Sequence, residues 1–431
     1  MKIPSVKGFH DVLPAESARW QWIEQQARVL FGRYGFAEIR IPIVERTELF
    51  SRSIGETTDI VEKEMYTFAD RDGSSLTLRP EGTASVVRAY TEHALQQHEP
   101  VSKLFYLGPM FRRERPQKGR LRQFSQIGAE VIGRDDATID AEVVLLLHDL
   151  LVTLQVRGAC IELNSLGDAA CRPAYRAALL AFGEAHRAEL CENCNRRLEH
   201  NPLRLLDCKD PDCRATTADA PVMLDYLCAP CRAHFDTVCA LLRREGVEPR
   251  LNARMVRGLD YYVRTAFEVV AEGLGAQNAV GGGGRYDGLV KALGGPDAAG
   301  IGFALGMERL LLALPDHAAA QPLLPEVVLI PLGVAAETEA IHLAHRWRTD
   351  GVRVEMSSGG KSLRSQMRLA DKAGAPYALI LGEDELAAGA LTVRDMLAKR
   401  DFPRAVAVAA SGSALRETLA ELSHQPLERR A

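Results

Sequence analysis

The chain has 431 residues, 47% hydrophobic and 26% charged, the balance of a globular protein of two to three domains. A formal net charge of −4 excludes non-specific coating of nucleic acid and leaves room for a local basic surface. The opening MKIPSVKGFHDVLP lacks a basic start followed by an apolar run, and the apolar stretch VVLLLHDLLV is short and interrupted by His148 and Asp149. A cytoplasmic chain without a membrane span is therefore expected.

Residues 17–34 carry Trp20, Ile23, Ala27 and Leu30 at helical spacing behind Ser17, a residue suited to capping. GFAEIRIPIVE follows as a strand, and Pro42 within it belongs at a sheet edge or an interface. SLTLRPEGTASVVRAY reads as strand, turn and helix, with Thr83 capping a helix that begins near Ala84. KLFYLGPMFRRE and RQFSQIGAEVIG read as two strands joined by a charged loop. No strand is followed by a glycine fingerprint of a doubly wound fold, so the core is expected to be α+β with a mainly antiparallel sheet.

Residues 168–248 change in character to a helix-rich, cysteine-bearing insertion within a larger domain spanning 1–320. Strand patterning resumes at PRLNARMVRGLDYYVRTAFEVV, where Tyr261 and Tyr262 are expected on opposite faces, and GGGGRYDGLV marks a turn or a close backbone approach. AAAQPLLP reads as a linker. Beyond it, residues 326–431 alternate strand and helix, the pattern of a separate α/β domain with a largely parallel sheet.

Between Arg112 and Arg122 stand six cations against one acid, Glu114, with Phe111 and Phe124 at the flanks. A solvated hairpin tip would explain the charge alone. A guanidinium starting at a strand end beside aromatic platforms suits a polyphosphate and a nucleic-acid backbone better.

These stretches resemble the class II aminoacyl-tRNA synthetases: GFAEIRIPIVE their first motif, FRRE and RQF the second, and GIGFALGMERL the third. Within that class RPEGT, RGLDYY and GGGGRYDGL resemble the signatures of the histidyl-tRNA synthetases, and the similarity runs essentially end to end. The resemblance implies a homodimer that joins L-histidine to ATP with Mg²⁺ and passes histidine to tRNA(His). It also implies roles for single residues. Glu81, Gly82, Thr83 and Gln126 would surround the amino group, while Glu130, Tyr261 and Tyr262 would meet the imidazole ring. Arg112 and Arg257 would hold the α-phosphate, Arg309 and Phe124 would sandwich adenine, and Glu114 is a candidate Mg²⁺ ligand. Arg115, Lys118, Arg120 and Arg122 would guide the acceptor end of tRNA. In the tail, Lys361, Arg364, Arg368 and Lys372 form a basic stripe suited to an anticodon stem. A non-catalytic relative that senses histidine would be expected to lack Arg112, Arg257, Arg309 and the tail. A zinc-dependent nucleic-acid-binding protein would leave RPEGT and RGLDYY unexplained.

The cysteines stand apart from that activity. Cys191-x-x-Cys194 and Cys228-x-x-Cys231 have the knuckle spacing of one four-thiolate zinc site, while Cys208 and Cys213 either replace one pair or remain free. Buried reduced cysteine as a small core residue is the competing reading.

Overall fold

The computed structural model describes residues 3–423 apart from 56, 57, 59, 201, 209, 257, 258, 260, 275–277, 316–323 and 358–361. The chain divides into two compact units, Met1–Ala320 and Gln321–Ala431. The linker expected at AAAQPLLP falls mostly outside the described residues.

The first unit is built on an eight-stranded sheet. Four central strands, Ser102–Phe111, Gln123–Ile132, Gly300–Gly306 and Ala279–Arg285, are joined by antiparallel ladders in that order. Val263–Val270 and Cys160–Ser165 extend the sheet, again antiparallel. Only the short outer strands Ala37–Glu38 and Arg250–Leu251 pair in parallel.

Strand alternation separates a packed face from a reactive one. Ile127, Ala129 and Val131 join Ile301, Phe303 and Leu305 in a core closed by the helices Pro14–Arg33, Ala137–Thr153 and Ala229–Arg244. Phe31 is fully buried there, its ring 5.1 Å from Phe105 and 6.1 Å from Phe303; truncating such a side chain typically costs about 3–5 kcal/mol. The alternate positions of GIGFALG are Gly300, Gly302, Ala304 and Gly306, so the opposite face is left nearly bare. There is where a cavity forms.

Two local expectations change. GFAEIRIPIVE is not one strand: only Ala37–Glu38 and Val44–Arg46 pair, with different sheets. The buried guanidinium of Arg79 takes up the carbonyls between them, donating to Ile41 O and to Pro42 O at 3.1 Å, and also to Pro109 O at 2.8 Å. A buried cation with several carbonyl acceptors replaces a ladder that Pro42 could not complete. Thr83 is likewise not the cap of its helix, Thr83–Glu92; Gly82 occupies that position. The Glu81 carboxylate instead accepts the N–H groups of Thr83 at 2.7 Å and Ala84 at 2.9 Å, satisfying the helix's first donors.

The second unit carries the strands Val327–Pro331, Val354–Met356 and Tyr377–Leu381 in parallel, flanked by the helices Val334–Thr349 and Leu363–Ala373. Two further strands, Ala390–Asp395 and Arg400–Ala407, add antiparallel ladders, so the sheet is mixed where a largely parallel one was expected. The pattern ALTVRDMLAKRDFPRAVA is interrupted by the turn after Asp395 and by Pro403, which hides its pairing in the sequence. Among the described residues no helix is long and apolar enough to cross a membrane.

Candidate active site

A cavity of about 250 Å³ opens on the bare face of the large sheet. Glu81, Thr83, Arg112, Glu114, Phe124, Gln126, Tyr261, Tyr262 and Arg309 all line it, residues drawn from sequence positions more than 200 apart. Arg257 lies outside the described residues.

Glu130 is not itself a lining residue: it lies beneath the cavity floor, behind Thr83, which does line the cavity. It is fully buried opposite Gly302, where any Cβ would stand 1.8 Å from its carboxylate oxygen, so glycine is needed for the acid to fit. Thr83 Oγ1 donates to one carboxylate oxygen at 2.7 Å and the Tyr286 hydroxyl to the other at 2.8 Å. Burial raises the Glu130 pKa to about 8, against the lowering effect of those two hydroxyls. Burial also raises Glu81, although its two backbone donors and nearby Arg112 pull the other way. Burial thus pushes both acids toward their protonated forms.

Tyr106 lies nearby, against Gly82 and Gly128. A Cβ at Gly82 or at Gly128 would stand 2.2 Å from its ring, so both glycines make room for it. Its hydroxyl and the Oε1 of Gln126 are buried without a hydrogen-bond partner. Buried orphan acceptors of this kind are costly unless a ligand completes them. Tyr261 and Tyr262 do not diverge across a strand. They precede Val263–Val270, and their rings pack 4.6 Å apart, with Tyr261 a further 6.0 Å from Tyr286.

The cations sit at the other end. Arg112 donates through Nε to Pro80 O at 2.9 Å and places its guanidinium 5.3 Å from the centre of the Phe124 ring. Arg309 donates to Gly119 O at 3.2 Å and to Ala279 O. Phe124 is therefore covered by Arg112, and Arg309 braces the loop. In that loop Arg120 donates to Glu114 at 3.1 Å and Arg122 donates to Glu114 O at 3.2 Å, whereas Arg115 and Lys118 remain exposed. Of the four cations expected to meet a nucleic acid, two are engaged within the loop itself.

Three side chains gain a role that the sequence did not give them. The Tyr286 hydroxyl donates to Glu130, the Tyr106 ring fills the space left by Gly82 and Gly128, and Glu308 accepts the Ser125 N–H at 2.9 Å within the cavity, its pKa raised by burial to about 7. Tyr286 stood in a quoted motif, and Tyr106 pairs with Gly128 across the ladder, an aromatic opposite a glycine that only the register reveals. Arg285, from the same glycine-rich motif, belongs to the scaffold. Fully buried, it donates to Asp140, which also accepts from His234 at 2.7 Å, tying the strand to the helices Ala137–Thr153 and Ala229–Arg244. A larger cavity of about 540 Å³, lined by Asn164, Arg172 and Tyr175 among others, shares only Leu259 and Tyr262 with the first.

The single zinc site expected from Cys191, Cys194, Cys228 and Cys231 does not form. The structure separates the two knuckles: Cys191 and Cys194 meet Cys208 and Cys213, while Cys228 and Cys231 meet Asp168 and Cys171. Each knuckle opens a different helix, Glu192–His200 and Ala229–Arg244, and each finds its partners at the start of another.

A profile described as histidyl-tRNA synthetase matches residues 8–310, and one described as an anticodon binding domain matches residues 326–417. The histidine–tRNA ligase of Syntrophotalea carbinolica is 54% identical over 92% of this chain and 94% of its own length. That of Trichlorobacter lovleyi is 56% identical over the same shares. The crystal structure of apo S. aureus histidyl-tRNA synthetase superposes with a TM-score of 0.78 at 35% identity, covering 97% of this chain and 99% of the other. With a buried glutamate behind a cavity lined by tyrosines and arginines, and this similarity along nearly the whole length, the chain belongs to the histidyl-tRNA synthetase family.

Proposed function

We propose that this chain activates L-histidine with ATP and transfers it to the 3′ end of tRNA(His). The observation that carries the reading is Glu130, a buried acid that accepts the hydroxyls of Thr83 and Tyr286 just behind a cavity lined by Thr83, Arg112 and Arg309. An imidazole N–H is a donor of the right size for that acid, and a pocket built to complete such a bond discriminates strongly against side chains without it.

Activation forms a bond between a histidine carboxylate oxygen and the α-phosphorus of ATP as pyrophosphate leaves. The transfer step then forms the ester with the terminal ribose and releases AMP. No protein nucleophile is needed, so catalysis consists of positioning and of stabilising charge on the phosphoryl oxygens. Arg112 is proposed to bridge the α-phosphate and the histidine carboxylate, with Arg257 on the other side of the phosphate. The Glu81 oxygens, each with one backbone donor, retain lone pairs for the ammonium, and Gln126 Oε1 is the second acceptor. Arg309 and Phe124 are proposed to close on adenine once Arg112 turns to the phosphate. Mg²⁺ accompanying ATP would neutralise the outer phosphates, and of the cavity's carboxylates Glu114, Glu268 and Glu308 are those not assigned to the ammonium and would be the ones to hold it.

Arg115 and Lys118 are the loop cations proposed to meet the acceptor end. The regulatory alternative is disfavoured because Arg112, Arg309 and the tail are all present. A homodimer is proposed from the first-motif region, where Val12, Leu13, Val29, Ile43 and Val44 are exposed apolar residues. The cytoplasm is the proposed compartment, in keeping with nine free cysteines.

The test separates the two steps. A chain ending at residue 325 is expected to retain histidine-dependent ATP–pyrophosphate exchange within about tenfold and to lose most tRNA charging, because the tail supplies binding energy for tRNA and none for the adenylate. A folded truncation that charges tRNA as well as the full chain would refute the role given to the tail. Arg364, Arg368 and Lys372 lie on the helix Leu363–Ala373, while Lys361 is outside the described residues.

A further inference from the structure

We propose that the cysteine-bearing segment between Asp168 and Cys231 binds two zinc ions at two separate centres, one made of four thiolates and one at the neck of the segment. The first centre is Cys191, Cys194, Cys208 and Cys213. Their sulfurs all lie within 4.8 Å of one another, and the Cys191 and Cys208 sulfurs are 3.9 Å apart. A tetrahedral zinc with Zn–S bonds of about 2.3 Å sets its sulfurs roughly 3.8 Å apart, so the group is close to the size one ion requires. The separation is far beyond a disulfide bond of about 2.05 Å.

A cysteine that serves only as a small core residue needs no second sulfur beside it, and here four converge. Local structure explains how. Cys191 and Cys194 flank the first turn of Glu192–His200, while Cys208 precedes and Cys213 lies within the short helix Pro211–Thr216, whose cap is the Asp210 carboxylate. The Cys191 N–H points at the Cys213 sulfur at 2.8 Å, a donor that favours sulfur as thiolate. Four thiolates and one zinc leave a charge of −2, and the adjoining cavity is lined by charges of both signs, Arg197 and Arg204 with Glu192, Asp207 and Asp210.

The second centre is Asp168, Cys171, Cys228 and Cys231, again with all four ligand atoms within 4.8 Å. The Cys228 N–H points at the Cys171 sulfur at 3.1 Å, repeating the arrangement of the first. One Asp168 oxygen holds the Ala170 N–H at 2.9 Å; the other lies 3.7 Å from Arg264 and is the one available to a metal. These ligands come from the entry and the exit of the segment, so an ion here would pin its two ends together. Leu166 N–H to Arg264 O at 2.7 Å and Arg264 N–H to Gly167 O at 2.8 Å then fasten that neck to the strand that begins just after Tyr262. Zinc binding displaces four thiol protons at the first centre and three at the second, where the carboxylate is already ionised.

Two ions rather than one is the content of the proposal, and stoichiometry reads it. Full-length protein purified with reductant and without chelator should carry about two zinc per chain by elemental analysis. Cys194→Ser and Cys231→Ser should each carry about one. X-ray absorption should then show four sulfurs around the zinc left in Cys231→Ser and three sulfurs with one oxygen around that left in Cys194→Ser. In case a serine variant misfolds, metal-stripped wild-type protein titrated with Co²⁺ alone should develop thiolate-to-cobalt absorbance that stops at two equivalents. One zinc per chain with a Co²⁺ endpoint at one equivalent, a metal-free protein whose nine thiols all titrate, or bound iron in place of zinc would overturn it.

Discussion

Arg112→Ala is expected to lower kcat for histidine activation by roughly 10²–10³-fold while the protein folds normally, the loss seen when one preorganised donor to a developing oxyanion is removed. The structure makes the fold part of that expectation specific. Arg112 gives the scaffold one hydrogen bond, to Pro80 O at 2.9 Å, and its contact with Glu114 is long, at 3.9 Å. The side chain lines the cavity, its guanidinium over the Phe124 ring. Losing the Pro80 bond costs about 1 kcal/mol of stability, too little to explain a hundredfold loss in rate. Arg112→Lys should recover only part of the rate, because an ammonium cannot make two parallel bonds to phosphate and carboxylate. Single-turnover rates in saturating histidine and ATP check this, and an Arg112→Ala enzyme with unchanged kcat and a raised KM would make Arg112 a binding residue only.

Glu130→Gln carries the second large effect, and it runs in opposite directions for activity and stability. The isosteric amide keeps an oxygen and an N–H₂ for the hydroxyls of Thr83 and Tyr286, yet it cannot become the anion that an imidazole N–H would draw out. Histidine kcat/KM should fall by about 1–3 kcal/mol, roughly 5- to 150-fold. For stability the sign follows from the folded-state pKa of about 8, raised by burial above the value near 4.3 of an unfolded glutamate. A group raised in this way contributes its full stability below about pH 4, and that stability is lost as pH rises through about 8. Glutamine has no such loss. The variant should therefore melt above wild type at pH 8.5, the gap shrinking steadily toward pH 4.5. Parallel melting curves across that range would contradict a buried, protonated Glu130.

How much of this was legible in the sequence depends on which link of the chain is asked for. Strand alternation made it legible that Gln126 and Glu130, four apart, share a face, while the roles proposed for them rest on the resemblance to the family. The bare face itself could be read from GIGFALG, in which every second residue is glycine or alanine. Arg79 was not legible, since its partners are the carbonyls of Ile41, Pro42 and Pro109, and carbonyls leave no trace in residue identity. Tyr106 needed the register with Gly128, and Tyr286 needed the turn that carries it back over Glu130. The cysteines show the limit most clearly. Spacing identified two knuckles, but which sulfurs meet is decided by how the helices 172–185, 192–200, 211–216 and 229–244 pack, a tertiary fact that brings in Asp168 and Cys171 from outside both pairs.

The proposed roles make one demand that a single assay can examine: a side chain that reaches Glu130 with a ring N–H while its ammonium meets Glu81 and Gln126 and its carboxylate meets Arg112. ATP–pyrophosphate exchange measured with the purified chain and each of the twenty amino acids in turn applies that demand directly. Exchange with histidine, and with every other amino acid at or near the no-substrate background, is the predicted result. Comparable exchange with any second amino acid, or no exchange with histidine from protein that is folded and binds ATP, would contradict it.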